Sequence, residues 1–159
     1  MYRKILVPID GSPTAARGLD EAIKLAKLTG ARLRLIHVVD QFSFATGMEA
    51  ATLITGDTMQ LLREAGQAVL DKAKARVEKA GPRVDAVLCD GLGGRVCDLV
   101  IEQATAWPAD LIVLGTHGRR GLGRWLLGSD AEMIVRLAAV PVLLVRAKEV
   151  PVTGPKRAA

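Results

Sequence analysis

Two stretches of the chain carry residue types whose spacing could hold an anion. The first is GTHGRRGLGRWLLGS, residues 115–129, with five glycines, three arginines, one histidine and no acid. Its fixed skeleton is Gly115, two residues, Gly118, nine residues, then Gly128 and Ser129. Glycine has no Cβ, so backbone N–H groups can come close to a phosphate. Ser129 opens a helical pattern, and the start of a helix offers unpaired N–H groups and a positive dipole end. A plainer reading stands beside this one. SDAE, residues 129–132, has the form of a capping box with Ser129 as the cap, and glycines also serve simply to turn a chain. One serine oxygen can accept from the helix while its proton goes to phosphate, so the residues leave both readings open. The second stretch is VPIDGS, residues 7–12. Pro8 cannot donate to a ladder and belongs at a strand end. Asp10 would then project beyond that end, where a carboxylate can accept from ribose hydroxyls or serve as a turn residue.

Other chemistries are disfavoured. No lysine follows the last glycine as a P-loop requires, and no GxGxxG follows the first strand. Cys89 and Cys97 lack metal or redox spacing and read as reduced thiols. His37 and His117 stand apart, with no cluster of metal ligands around either. A phospho-receiver domain needs an acidic pair at its first strand, and only Asp10 is there. A flavin site would call for stacking aromatics, and the chain has two Trp, two Phe and one Tyr.

The elements that must position these residues alternate along the chain. Residues 4–9, 32–39, 83–89, 110–115 and 140–145 read as strands, mostly short continuous apolar runs suited to burial on both faces. Ser12 and Pro13 open a helix as N-cap and first residue, with Ala15, Leu19, Ala22, Ile23 and Ala26 on its apolar face and Thr29–Gly30 at its end. A second helix runs from about residue 58 to 80, with Leu62, Ala65, Val69, Ala73, Val77 and Ala80 inward. Helices over 96–106 and from Ser129 to about residue 138 complete the set. Residues 40–57 read as a long connection. Five strands alternating with four helices imply one open, parallel α/β sheet with helices on both faces. Ligands of such sheets bind beyond the carboxyl ends of the strands, where strand order reverses. At 159 residues the chain suits one domain, and its core must come from Val, Leu, Ile and Ala because only 3% is aromatic. The net charge of +5, from 22 basic and 17 acidic residues, does not imply a nucleic-acid-coating protein. No stretch approaches the ~20 apolar residues of a membrane span, and the N-terminus lacks a signal-peptide core, so a cytoplasmic protein is expected.

Taken together, ILVPIDGS, HVVD (residues 37–40), DLIVLGTHGRRGLGRWLLGS and VPVLLVR resemble the universal stress protein family, from Arg3 to Arg146. The glycine skeleton is similar at every fixed position to that family's ATP-binding signature. The resemblance implies a Rossmann-like, five-stranded parallel sheet of order 3-2-1-4-5, whose switch point lies between strands one and four. It implies that Pro8, Ile9 and Asp10 border adenine and ribose and that Val39 meets adenine through its backbone. Gly115, Gly118, Gly128 and Ser129 would hold phosphates, with Asp130 nearby. His117 and Arg119 lie in the loop but outside the signature. The turn DGLGGRV, residues 90–96, keeps Gly91 but departs from the family pattern at Gly93, Gly94 and Arg95. One domain over residues 1–147 is expected, with a disordered tail at 148–159. The implied function is an ATP-binding regulatory module of the stress response, with or without Mg or Mn and with no dedicated catalytic residues. The alternative is a slow ATP hydrolase or nucleotidyl-transfer enzyme using the same site. The uncharged strand between Val140 and Val145 would be a sheet edge, and the resemblance implies a homodimer joined through it.

Overall fold

The computed structural model describes residues 1–39, 56–91, 94–116 and 128–146. Strands β1 (Lys4–Pro8), β2 (Arg32–Val39), β3 (Val84–Asp90), β4 (Leu111–Gly115) and β5 (Val142–Val145) form one sheet of order β3-β2-β1-β4-β5. Every pairing in it is parallel. The expected fold class and strand order are therefore the observed ones. Helices α1 (Pro13–Thr29), α2 (Gly56–Ala80), α3 (Val96–Ala106) and α4 (Ser129–Leu137) are the crossovers. One core lies beneath α1 and α2, centred on Ile5, Val7, Leu19, Leu33, Leu35 and Val77. A second lies on the opposite face beneath α3 and α4, centred on Leu6, Ile36, Val100, Ile112 and Ile134. Burial on both faces is why β1 and β4 read as unbroken apolar runs.

Helix α1 follows its local signals. The Ser12 hydroxyl accepts from the Ala15 amide at 3.1 Å, and Pro13 takes the first helical position. Gly30 ends the helix with φ 72°, its N–H returning to the Ala26 carbonyl at 2.9 Å. All five residues expected on its apolar face are buried.

Helix α2 shows a correction. Val69, Ala73, Val77 and Ala80 face the core as expected, but Ala65 is exposed, and Gly66 and Leu70 are buried instead. Gly66 has no side chain to register as apolar, so the sequence pattern slips by one residue at that turn. Strand ends also shift by a residue or two: β3 runs Val84–Asp90 rather than 83–89, and β4 begins at Leu111 rather than Asp110. β5 begins at Val142 rather than Val140, because Pro141 has no N–H to pair and offers only its carbonyl, which accepts from Ile112 at 3.0 Å. β1 ends at Pro8, although the Ile9 amide still donates to the Ile36 carbonyl at 2.8 Å. Among the described residues no helix is long and apolar enough to cross a membrane. Residues 40–55 of the expected 40–57 connection and the whole expected tail, 148–159, lie outside the described residues, whereas Gly56 and Asp57 already belong to α2.

Candidate functional site

The carboxyl ends of β1, β2 and β4 lie side by side, and the strand order reverses between β1 and β4. These two strands pair at Ile5↔Leu111 and Leu6↔Ile112 only, whereas β1 and β2 stay in register as far as Pro8↔Ile36. The amino ends are tied by Asp110, whose carboxylate accepts from the amides of Arg3 at 2.7 Å and Lys4 at 3.1 Å. The ladder thus closes at one end and stops short at the other, where a crevice can open.

On the β1 side, Pro8 and the buried Ile9 lead into Asp10, Gly11 and Ser12. The Asp10 Oδ1 accepts from the Ser12 amide at 2.8 Å, which makes a tight turn of the loop. Gly11 has φ 82°, a conformation that favours glycine. The turn reading of Asp10 therefore holds, and one carboxylate oxygen shapes the loop that carries the group. Ser12 caps α1 and lies 3.1 Å from the Thr14 hydroxyl.

On the β4 side, Gly115 ends the strand against the first turn of α1. A Cβ at Gly115 would lie 2.6 Å from the Thr14 carbonyl carbon, 2.8 Å from its oxygen and 2.9 Å from the Ala15 nitrogen. The β4 exit and the α1 start are thus in backbone contact, which sequence reading had not found in Gly115. Beyond it, the buried Thr116 receives a bond from the Gly128 amide at 2.9 Å and donates its own amide to Val145 at 3.1 Å. The Gly128 amide is thus held at the end of β4, on the Thr116 carbonyl, although eleven residues separate the two in the chain. Gly118, His117 and Arg119 lie outside the described residues.

The start of α4 corrects the capping-box reading. Gly128, with φ −58° and ψ 144°, is the N-cap, and Ser129 is the first helical residue. The Gly128 carbonyl accepts from Glu132 at 2.9 Å, as an N-cap carbonyl should. At the first helical position Ser129 is not the cap, and it is exposed beside the helix's first amides. Asp130 is exposed in the same turn.

On the β2 side, Val39 is buried at the strand end, and its carbonyl accepts from the Gly91 amide at 3.2 Å. A Cβ at Gly91 would sit 2.5 Å from that oxygen, so the close approach requires glycine. Beside it, Arg63 of α2 grips Asp90 with two bonds, 2.8 and 3.1 Å. That guanidinium holds the Asp90 carboxyl below its ordinary range, and the carboxylate in turn raises Arg63. Sequence reading missed this clamp because its partners lie 27 residues apart. Arg95 bonds Asp98 at 3.2 Å, so part of the departing turn serves the first turn of α3. Burial, aided by Asp98 at Cys97 and Glu102 at Cys89, pushes both thiols up, away from nucleophilic thiolate. Among the described residues no three of His, Cys, Asp and Glu gather to hold a metal ion.

Of the nine expected site residues, eight are described, and all eight stand at carboxyl strand ends or at the start of α4. The chain is 38% identical over 149 residues to the universal stress protein MJ0531 of Methanocaldococcus jannaschii, covering 92% of this chain and 83% of that one. Its fold superposes on the solved structure of MJ0577 from the same organism with TM-score 0.80 at 27% identity, over 94% and 99% of the two chains. A universal stress protein from Archaeoglobus fulgidus solved in complex with dAMP has TM-score 0.66 at 25% identity, over 91% and 98%. The model of the universal stress protein family matches residues 1–146, nearly the whole of the described fold, and the chain belongs to that family.

Proposed function

We propose that this chain binds an adenine nucleotide, ATP in the first instance, across the ends of β1 and β4, and acts as a nucleotide-dependent regulatory module in the stress response. The observation that carries this reading is the junction of Gly115, Thr116 and Gly128 at the switch point, opposite the Asp10 turn. In this reading Asp10 accepts from ribose hydroxyls, Pro8 and Ile9 line the sugar and base, and the Val39 backbone meets adenine. Gly115, Gly118, Gly128 and Ser129 receive the phosphates, with Asp130 beside them. The dAMP complex of the A. fulgidus relative supports the adenine nucleotide as the ligand class. Asp10 and Asp130 are too few to hold a metal by themselves, so Mg or Mn would arrive with the phosphates, as Mg commonly does.

The same reading extends to assembly. β5 is an edge strand, and Leu143 on it is 36% exposed, with Val135 and Leu137 of α4 also exposed. An uncharged edge beside exposed apolar side chains suits pairing with a second copy. Calorimetric titration with ATP, with and without magnesium, tests the nucleotide reading. Saturable binding that Asp10→Ala abolishes is the expected result. Silence towards ATP, ADP and AMP at millimolar protein refutes it, and steady ATP turnover lost in Asp10→Ala would favour the hydrolase instead.

A further inference from the structure

The buried His37 sits directly behind the Asp10 turn. It lies on the face of β2 that meets α2, and its Nδ1 is 2.6 Å from the Ile9 carbonyl oxygen. A carbonyl can only accept, so Nδ1 carries the proton and donates. The ring is confined from the other side by α2. A Cβ at Gly66 would lie 2.7 Å from the His37 Cδ2 and 3.0 Å from its Nε2. The imidazole therefore occupies room that only glycine leaves, between the backbone of α2 and the end of β1.

The position of that bond gives it a consequence. The Ile9 amide already donates towards β2, to the Ile36 carbonyl. With His37 bonded to the Ile9 carbonyl, both polar groups of Ile9 turn towards β2. The Ile9–Asp10 peptide is trans, so its N–H points opposite to its carbonyl. The Asp10 amide is thereby turned to the side of β1 on which β4 lies, the side of the crevice. Asp10 is held at its front by the oriented peptide and at its back by the Ser12 amide on its carboxylate.

We propose that His37 is a positioning residue of the nucleotide site, its Nδ1 proton orienting the Ile9–Asp10 peptide and Gly66 making room for the ring. The proposal rests on the nucleotide reading above. Its test uses a matched pair of variants in the whole chain. His37→Asn keeps an N–H donor near the place of Nδ1, and His37→Leu has nearly the same shape without it. Titration with ATP is expected to show His37→Leu weakened roughly tenfold, the scale of one lost buried hydrogen bond, and His37→Asn within about threefold of the parent. Equal affinity of His37→Leu and the parent overturns the proposal and leaves the nucleotide reading intact. So does a His37→Asn variant as weak as His37→Leu. A parent chain that binds no adenine nucleotide overturns both. Nitrogen-15 spectra of the parent give an independent readout should His37→Leu fail to fold. The His37 Nδ1 should appear protonated, and the Asp10 amide resonance should move in His37→Gln, whose amide reaches towards Nε2, more than in His37→Asn. An unprotonated Nδ1 refutes the assignment outright.

Discussion

Replacing Gly115 with alanine should damage the protein far more than one methyl group suggests. The residue lies in ordinary strand, so the demand for glycine is one of space alone. The added Cβ would meet the Thr14 carbonyl carbon at 2.6 Å, nearly an ångström inside ordinary contact, with the Thr14 oxygen at 2.8 Å and the Ala15 nitrogen at 2.9 Å. All three are backbone atoms of the first turn of α1, which cannot rotate aside as a side chain would. Either α1 lifts from β4 or the strand end withdraws. Overpacking of this kind costs about 1–3 kcal/mol, and a clash with backbone belongs at the upper end. For a chain of this size each kcal/mol lowers the melting temperature by about 2–4 °C, so a fall of roughly 6–12 °C is expected. Gly18→Ala is the internal control. Its Cβ would approach the Gly115 nitrogen at a milder 3.3 Å, and alanine gains about 1 kcal/mol of helix propensity over glycine. Thermal melts followed by circular dichroism should find Gly18→Ala near the parent and Gly115→Ala far below it. A Gly115→Ala melt within about 2 °C of the parent would show that the contact yields cheaply, and the reasoning would fail.

Other predictions are simpler. Leu70 is 1% exposed in the α2 core, so Leu70→Ala should cost about 2–5 kcal/mol in urea denaturation, whereas Ala65→Ser on the exposed side should stay within about 0.5 kcal/mol. Asp90 is held below its ordinary value by Arg63; the stabilisation it brings is therefore present above the unfolded carboxylate value of about 3.9 and fades as pH falls through the depressed folded value. A carbon-13 titration should show the Asp90 midpoint rising towards the ordinary range in Arg63→Ala, and an unmoved midpoint would deny the clamp. Leu143→Lys should turn a dimer into a monomer in sedimentation velocity; a parent chain that is already monomeric at micromolar concentration would dispose of the edge-strand reading.

Much of the fold was legible because its signals are local. Ser12 followed by Pro13, Gly30 after Thr29, and the apolar run of β2 each act within a few residues, and the structure has them in those places. Strand order was not legible from periodicity, because pairing joins residues such as Leu6 and Ile112 that are far apart in the chain; the family resemblance supplied it. Failures fall where a residue's meaning depends on something distant or on a missing side chain. Gly66 misled the reading of α2 because burial without a side chain leaves no apolar mark. Ser129 misled the reading of α4 because SDAE has the letters of a capping box, while the extended backbone of Gly128 makes that residue the N-cap. His37 passed as an isolated histidine because its partner, Ile9, is 28 residues away.

The glycines bear most directly on what the site is. A glycine motif read from sequence suggests room for a ligand, but Gly115 also makes room for the protein itself, at Thr14 and Ala15. Gly66, outside any motif, does the same for the His37 ring. Between them the loop from Ile9 to Ser12 is braced on both flanks, by β4 against the start of α1 and by α2 through His37 to the Ile9 carbonyl. Bracing of this kind holds binding groups in place before a ligand arrives, which lowers the ordering cost of binding. It also couples the loop to α2. A change on α2 that moves Gly66 must move the His37 ring, and the ring carries the bond that orients Asp10. Substitutions on α2 that never touch a nucleotide are therefore expected to alter its affinity, whereas equally buried substitutions beneath α3, in the core on the other face of the sheet, should change stability with less effect on binding.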